Sequence, residues 1–150
     1  MQQVRASIPD PHFPIMIDCY MALTVPYTIE LARRIDREVP NGVKWIEEHL
    51  PPDDYEGYSE VKRKVGQYNL FTCGEHEYTR YGFRQLLEKK CCDILQPDIT
   101  WCGGITEAKK IYALASAYVS PFSFPHSSTG FLSLDFSLDC VLFVYFGCAR

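Results

Sequence analysis

At 150 residues, with 47% apolar and 23% charged side chains, the chain can bury one substantial core, which excludes a disordered polymer. The formal charge of -4 is spread over interspersed signs, and no basic stripe extends beyond Lys62–Lys64 and short pairs such as Lys89-Lys90, which argues against a nucleic-acid partner. Seven cysteines, an odd number without a Cys-x-x-Cys pair, predict reduced, partly buried thiols rather than a thiolate metal site. An amino terminus without the apolar segment of a secretory signal adds to this and predicts a cytoplasmic location.

Residues 1–14 hold Pro9, Pro11 and Pro14 and predict an extended lead-in rather than a folded element. The apolar run Ile15–Tyr20 then predicts a strand that delivers Asp18. Thr24 is placed to cap a helix entered through Val25-Pro26, with Ile29, Leu31, Ala32 and Ile35 on one side and Pro40-Asn41-Gly42 closing it. Val43–Glu47 predicts a second strand. Asp53 or Asp54 caps the following helix, whose Tyr55, Tyr58, Val61 and Val65 recur at helical spacing until Gly66.

Leu70–Glu75 predicts the third strand, and Thr79 the cap of a helix carrying Phe83, Leu86 and Leu87, with Cys91-Cys92 packed inside. Ile94–Asp98 predicts the fourth. Gly103-Gly104 fits a tight turn better than an anion cradle and opens a helix through Ala108 to Tyr118. Pro121–His126 predicts a fifth strand. Thr129–Arg150 breaks the pattern, being rich in Phe, Leu, Ser and Cys without a capped helix, and its apolar run Cys140–Phe146 is too short to span a bilayer, so no membrane association is expected.

The five apolar runs each deliver a chemically competent residue at the same end: Asp18, Glu47, Glu75, Asp98 and His126. Their spacing suits βα units, each a short strand, a helix of three or four turns and two loops. The fold class is therefore α/β with parallel strands. Their carboxyl ends share one rim, where barrel enzymes place their chemistry. Three carboxylates there, Asp18, Glu47 and Glu75, need a compensating cation, and oxygen-only ligation selects Mg²⁺ over Zn²⁺. Taken singly, each acid could instead cap a helix or pair with Arg33, Arg80 or Arg84. Glu47 and Glu48 face opposite sides of a strand, and spacing does not choose between them. Asp98 and His126 suit a carboxylate–imidazole dyad. A metal beside a base points to proton abstraction next to a carboxylate, with the metal stabilising the enediolate.

These residues sit in longer motifs: Met16 through Tyr27, Lys44-Trp45-Ile46-Glu47-Glu48, Leu50-Pro51-Pro52, Gly74-Glu75-His76, Gln96-Pro97-Asp98, Trp101-Cys102-Gly103-Gly104 and Pro125-His126. As an ordered set over roughly residues 13 to 128, they resemble the enolase superfamily in its mandelate racemase/muconate lactonizing enzyme branch, and more narrowly the L-rhamnonate dehydratases. The resemblance implies a (β/α)₇β TIM-type barrel, of which this chain supplies about five βα units, the third to seventh strands, without the capping domain. It implies Mg²⁺ ligation by Asp18, Glu47 and Glu75, with the first glutamate of the pair as ligand. It gives His126 the α-proton, makes Asp98 its support, and puts His76 at the substrate pocket or just behind it.

The implied activity is the dehydration of L-rhamnonate to 2-keto-3-deoxy-L-rhamnonate, with a sugar acid as partner and a homo-oligomeric parent. Another acid-sugar dehydration or a racemisation is the nearest alternative. After His126 the family expects a glycine and a serine pair, whereas Ser127-Ser128-Thr129-Gly130 stands here. Residues 1–128 are accordingly expected to form a partial barrel domain and 129–150 a divergent apolar tail. A competing expectation of a different class is a truncated chain without catalysis of its own, since five staves leave open edges.

Overall fold

In the computed structural model, which describes residues 1–39 and 41–118, short apolar runs alternate with amphipathic helices. In chain order the elements are α1 (Gln2–Ser7), β1 (Met16–Asp18), α2 (Val25–Glu38), β2 (Trp45–Glu47), α3 (Tyr55–Val65), β3 (Leu70–Cys73), α4 (Thr79–Glu88), β4 (Ile94–Leu95) and α5 (Ile105–Tyr118). The strands pair in sequence order, β1-β2-β3-β4, and every pairing is parallel. Parallel neighbours require a crossover, which α2, α3 and α4 supply. The expected α/β arrangement is therefore present. The expected fifth strand at 121–126, the dyad member His126 and the tail 129–150 lie outside the described residues.

Register sorts the side chains. Ile17, Ile46 and Phe71 are Cα partners across β1, β2 and β3, and Ile46 and Phe71 are fully buried together with Ala32, Tyr58, Val61, Val65, Phe83, Ile111 and Ala115. The core is thus the layer between sheet and helices. The next row, Asp18, Glu47 and Thr72, projects to the opposite face because side chains alternate along a strand. One residue of slip would send the carboxylates into the core, so burial of Ile46 and Phe71 fixes where the acids stand.

Three local expectations need correction. The segment before β1 is not simply extended: Gln2–Ser7 is helical, because the prolines begin only at Pro9. Buried Arg5 ties this helix down by donating from Nη1 to the Phe13 carbonyl at 2.7 Å. Thr24 occupies the N-cap position of α2, but its hydroxyl makes no capping bond, and the helix relies on Pro26 near its first position. Thr79 does not cap α4 either. It is the first helical residue, with Tyr78 at the cap and a φ of 58° at Thr79. The first-turn amide of Arg80 donates instead to Glu107 Oε1 of α5 at 2.9 Å, a partner remote in sequence. Of the two candidates ahead of α3, Asp54 is the cap, accepting from Gly57 N at 2.9 Å.

Candidate active site

The four acids named from the sequence all follow the carboxyl ends of the parallel strands. Asp18 and Glu47 are the last residues of β1 and β2 and register partners. Glu75 stands just beyond β3 and Asp98 just beyond β4. Asp18 is exposed, and its Oδ1 accepts from Tyr20 N at 2.9 Å within a turn that drives Tyr20 and Met21 into the left-handed region. Glu47 is half-buried. Its Oε2 accepts from Trp45 Nε1 at 3.1 Å and its Oε1 from Gln96 Nε2 at 3.0 Å. Gln96 in turn is bonded to the Thr72 hydroxyl, so the Glu47 carboxylate is oriented by a chain of contacts running across to β4.

Glu48 points the other way. Its carboxylate is buried and accepts from Gly74 N, Glu75 N and His76 Nδ1. The two adjacent glutamates therefore serve different surroundings: Glu47 shares a face with Asp18, while Glu48 binds the loop that carries Glu75.

The acids feel one another's charge. Burial pushes the Glu47 carboxyl above its ordinary range, and the charges of Asp18 and Glu75 push it further, against the lowering bonds from Trp45 and Gln96. Glu75 is likewise raised, first by burial and then by Glu48, Asp18 and Asp98, with only His76 opposing. Cys19, between Asp18 and the core, is raised to about 11 by burial and by Asp18 and Glu47. Its thiol stays protonated at neutral pH, which removes it as a nucleophile. Among the described residues none of Asp18, Glu47 and Glu75 is paired with a lysine or arginine.

Asp98 is buried, and its Oδ1 accepts from Thr100 N, Thr100 Oγ1 and Trp101 N at 2.7, 2.6 and 2.9 Å. That turn projects Trp101 over the rim, where Nε1 donates to the His76 carbonyl at 3.1 Å. His76 lies edge-on between Tyr20 and Trp101, with ring centroids 5.6 and 5.7 Å away. The described residues thus bring Asp18, Glu47, Glu75, His76 and Asp98 to one rim.

Residues 1–146 match the family model described as enolase C-terminal domain-like. The chain belongs to this family. Among solved structures it is similar to the rhamnonate dehydratase from Gibberella zeae complexed with Mg, at 46% identity and a TM-score of 0.74 over 86% of this chain and 30% of that one. It is also similar to the 3,6-anhydro-D-galactonate cycloisomerase from Zobellia galactanivorans, at 34% identity and a TM-score of 0.75 over 90% and 36% of the two chains. A racemase from Streptomyces coelicolor A3(2) with bound magnesium follows at 29% identity and 0.71, over 94% and 35%. The chain spans about a third of the length of each of these enzymes. The α/β arrangement matches the enolase C-terminal domain of these relatives.

In this enolase C-terminal domain-like chain the donor set suits a hard divalent cation: it is all oxygen, rich in negative charge and without a basic partner among the described residues. Among the described residues no three Asp, Glu, His or Cys side chains come to coordination distance. Asp18 and Glu47 accept from Tyr20 N, Trp45 Nε1 and Gln96 Nε2. Sequence reasoning missed Gln96, Trp45 and the task of Glu48. The Glu-Glu doublet and the glutamine two residues before Asp98 were visible as motif members, but only the cross-strand register gives them partners.

Proposed function

We propose that this chain carries the metal-binding and base-bearing part of an Mg²⁺-dependent acid-sugar dehydratase, acting on L-rhamnonate. The observation that carries the reading is the uncompensated set of carboxylates Asp18, Glu47 and Glu75 at adjoining strand exits; the 46% identity to a rhamnonate dehydratase supports the substrate. Asp18, Glu47 and Glu75 would hold the ion, which when bound would offset their charge and draw electron density from the substrate carboxylate, making the neighbouring C–H more acidic. Gln96 and Trp45 keep the Glu47 oxygens aimed, a positioning role ligating carboxylates ordinarily require.

His126 takes the proton from the carbon next to the carboxylate, and Asp98 orients its ring. The hydroxyl on the following carbon then leaves as water, and the resulting enol becomes the 2-keto-3-deoxy acid. His76, at the rim between Tyr20 and Trp101, lines the sugar side. The described cysteines Cys19, Cys73, Cys91, Cys92 and Cys102 are free thiols, which supports a reducing, cytoplasmic setting. No helix among the described residues is long and apolar enough to cross a membrane.

Two measurements test this. Calorimetric titration of the 150-residue chain with Mg²⁺ is expected to give binding on the order of millimolar, the weak end for oxygen-ligand sites, and Glu47→Gln should abolish the heat; undiminished binding would sink the ligand assignment. For turnover, residues 13 to 128 are placed into the Gibberella zeae enzyme in exchange for the matching segment. Formation of the 2-keto acid from L-rhamnonate should then vanish with His126→Asn, and its persistence would remove His126 as the base.

A further inference from the structure

Glu48 has no part in the chemistry above, yet its buried carboxylate is held by three hydrogen-bond partners. It is 2% exposed and sits on a backbone with φ of 39°, an uncommon conformation for a side-chain-bearing residue. Its Oε1 accepts from Gly74 N at 3.0 Å and Glu75 N at 3.1 Å, and its Oε2 lies 2.6 Å from His76 Nδ1. One carboxylate leaving β2 thus meets three consecutive residues leaving β3. The loop is shaped to receive it: Gly74 has φ of 118°, and a Cβ there would come within 2.9 Å of the Phe83 ring, so only glycine lets these amides turn inward.

We propose that Glu48 is a positioning residue that clamps the β3 exit, turning Glu75 toward Asp18 and Glu47 and fixing His76 with its proton on Nδ1. A carboxylate only accepts, so a ring nitrogen 2.6 Å away must bring the proton. Among the described residues Nε2 makes no hydrogen bond. Tyr20 and Trp101, 68% and 56% exposed, each meet the imidazole in a T-shaped contact, at interplanar angles of 83° and 73°. A hydroxyl of a polyhydroxy acid, which both donates and accepts, is the chemical partner that suits Nε2; that last step rests on the function proposed above, while the clamp and the proton on Nδ1 do not.

The test is ¹⁵N NMR of the whole chain labelled at histidine, recorded without metal or substrate. Wild type is expected to show His76 protonated at Nδ1. In Glu48→Gln the amide oxygen can still accept from Gly74 and Glu75, but its NH₂ faces the ring, so Nδ1 must accept and the proton moves to Nε2. In Glu48→Ala the Gly74 and Glu75 amides lose their acceptor, and their exchange with solvent should quicken about tenfold or more. A wild-type His76 with bare Nδ1, or a tautomer unmoved by Glu48→Gln, overturns the proposal; if Glu48→Ala does not fold, these two outcomes still decide it.

A second arm follows Mg²⁺ binding. Glu48→Ala should weaken it about 10- to 100-fold, as loss of a group that orients a ligand does, and Glu48→Gln should stay within about threefold. Equal affinity in all three proteins overturns the control of Glu75. Absence of Mg²⁺ binding in wild type, with the tautomer switch intact, rejects the proposed function and leaves the clamp standing.

Discussion

His49 and His76 follow neighbouring strands, β2 and β3, and meet opposite surroundings. His49 is fully buried on the helix side of the sheet, with ring centroids 4.5 Å from Tyr58 and 5.0 Å from Phe71, and among the described residues neither ring nitrogen has a hydrogen-bond partner. His76 is part-exposed at the rim and bonded to a buried carboxylate. Aromatic rings pack on the first, whereas the second meets a carboxylate. The same residue type is thus a packing element on one side of the described sheet and a polar device on the other, and the difference lies in what the neighbouring strand exposes.

The largest effect should come from breaking the packed side. Phe71 is fully buried and packs on His49, so Phe71→Ala removes a ring from the core centre and should cost about 4 kcal/mol in urea unfolding. A loss under about 1 kcal/mol would mean that the layer between sheet and helices is loosely packed.

Acid is the next lever. Burial drives the His49 imidazole down to about 3, while an unfolded histidine takes its proton near the ordinary value of about 6.5. Between those values the unfolded state binds more protons, so stability falls as pH drops below about 6.5, by up to about 1.4 kcal/mol per pH unit. At about pH 4.5 the accumulated loss is about 3 kcal/mol. Glu47 and Glu75, whose pKa values are raised, contribute with the opposite sign, since the folded state protonates them first. His49→Phe isolates the histidine: its unfolding free energy should lose that slope. An unchanged slope would place a proton on His49 in the folded protein.

A third, smaller effect checks a local element common to both sides. Asp54→Ala removes the acceptor of the Gly57 amide at the start of α3, the helix that delivers Tyr58 to His49, and should cost about 1 kcal/mol in thermal or urea unfolding. No measurable change would show that water replaces the cap.

The two sides also differ in how legible they are. The helix side follows from periodicity: of the residues expected on the inner faces, Ile29, Ala32, Ile35, Tyr58, Val61, Val65, Phe83, Leu86 and Leu87 are buried, while Leu31 and Tyr55 are partly buried against the core. Alternation along β1 and β2 places Asp18 and Glu47 on the other face. Beyond that, one-dimensional spacing stops informing. Nothing local says that Glu107 completes the start of α4, that Gln96 reaches back to Glu47, or that Glu48 serves residues 74–76. Each of these bonds joins residues 26 or more apart in sequence, and each depends on register and loop dihedrals. The amino-terminal helix was hidden for a different reason: the prolines of residues 9–14 colour the whole segment, although Gln2–Ser7 contains none.

The smallest effect is expected at the outer edge of the rim. Trp101 donates from Nε1 to the His76 carbonyl at 3.1 Å and touches the His76 ring edge-on, yet it is well exposed. Trp101→Phe keeps an aromatic ring beside the imidazole and deletes only the donor. Because water reaches an exposed carbonyl and replaces the lost bond, the net contribution should be at the low end for a hydrogen bond, about 0.5 kcal/mol. The His76 tautomer should not move, since Glu48 and not Trp101 meets Nδ1. Urea unfolding together with the imidazole ¹⁵N shifts of the variant separates the two possibilities. A cost above about 2 kcal/mol, or a displaced proton, would show that the rim is closed to water around His76 and as dry in practice as the surroundings of His49.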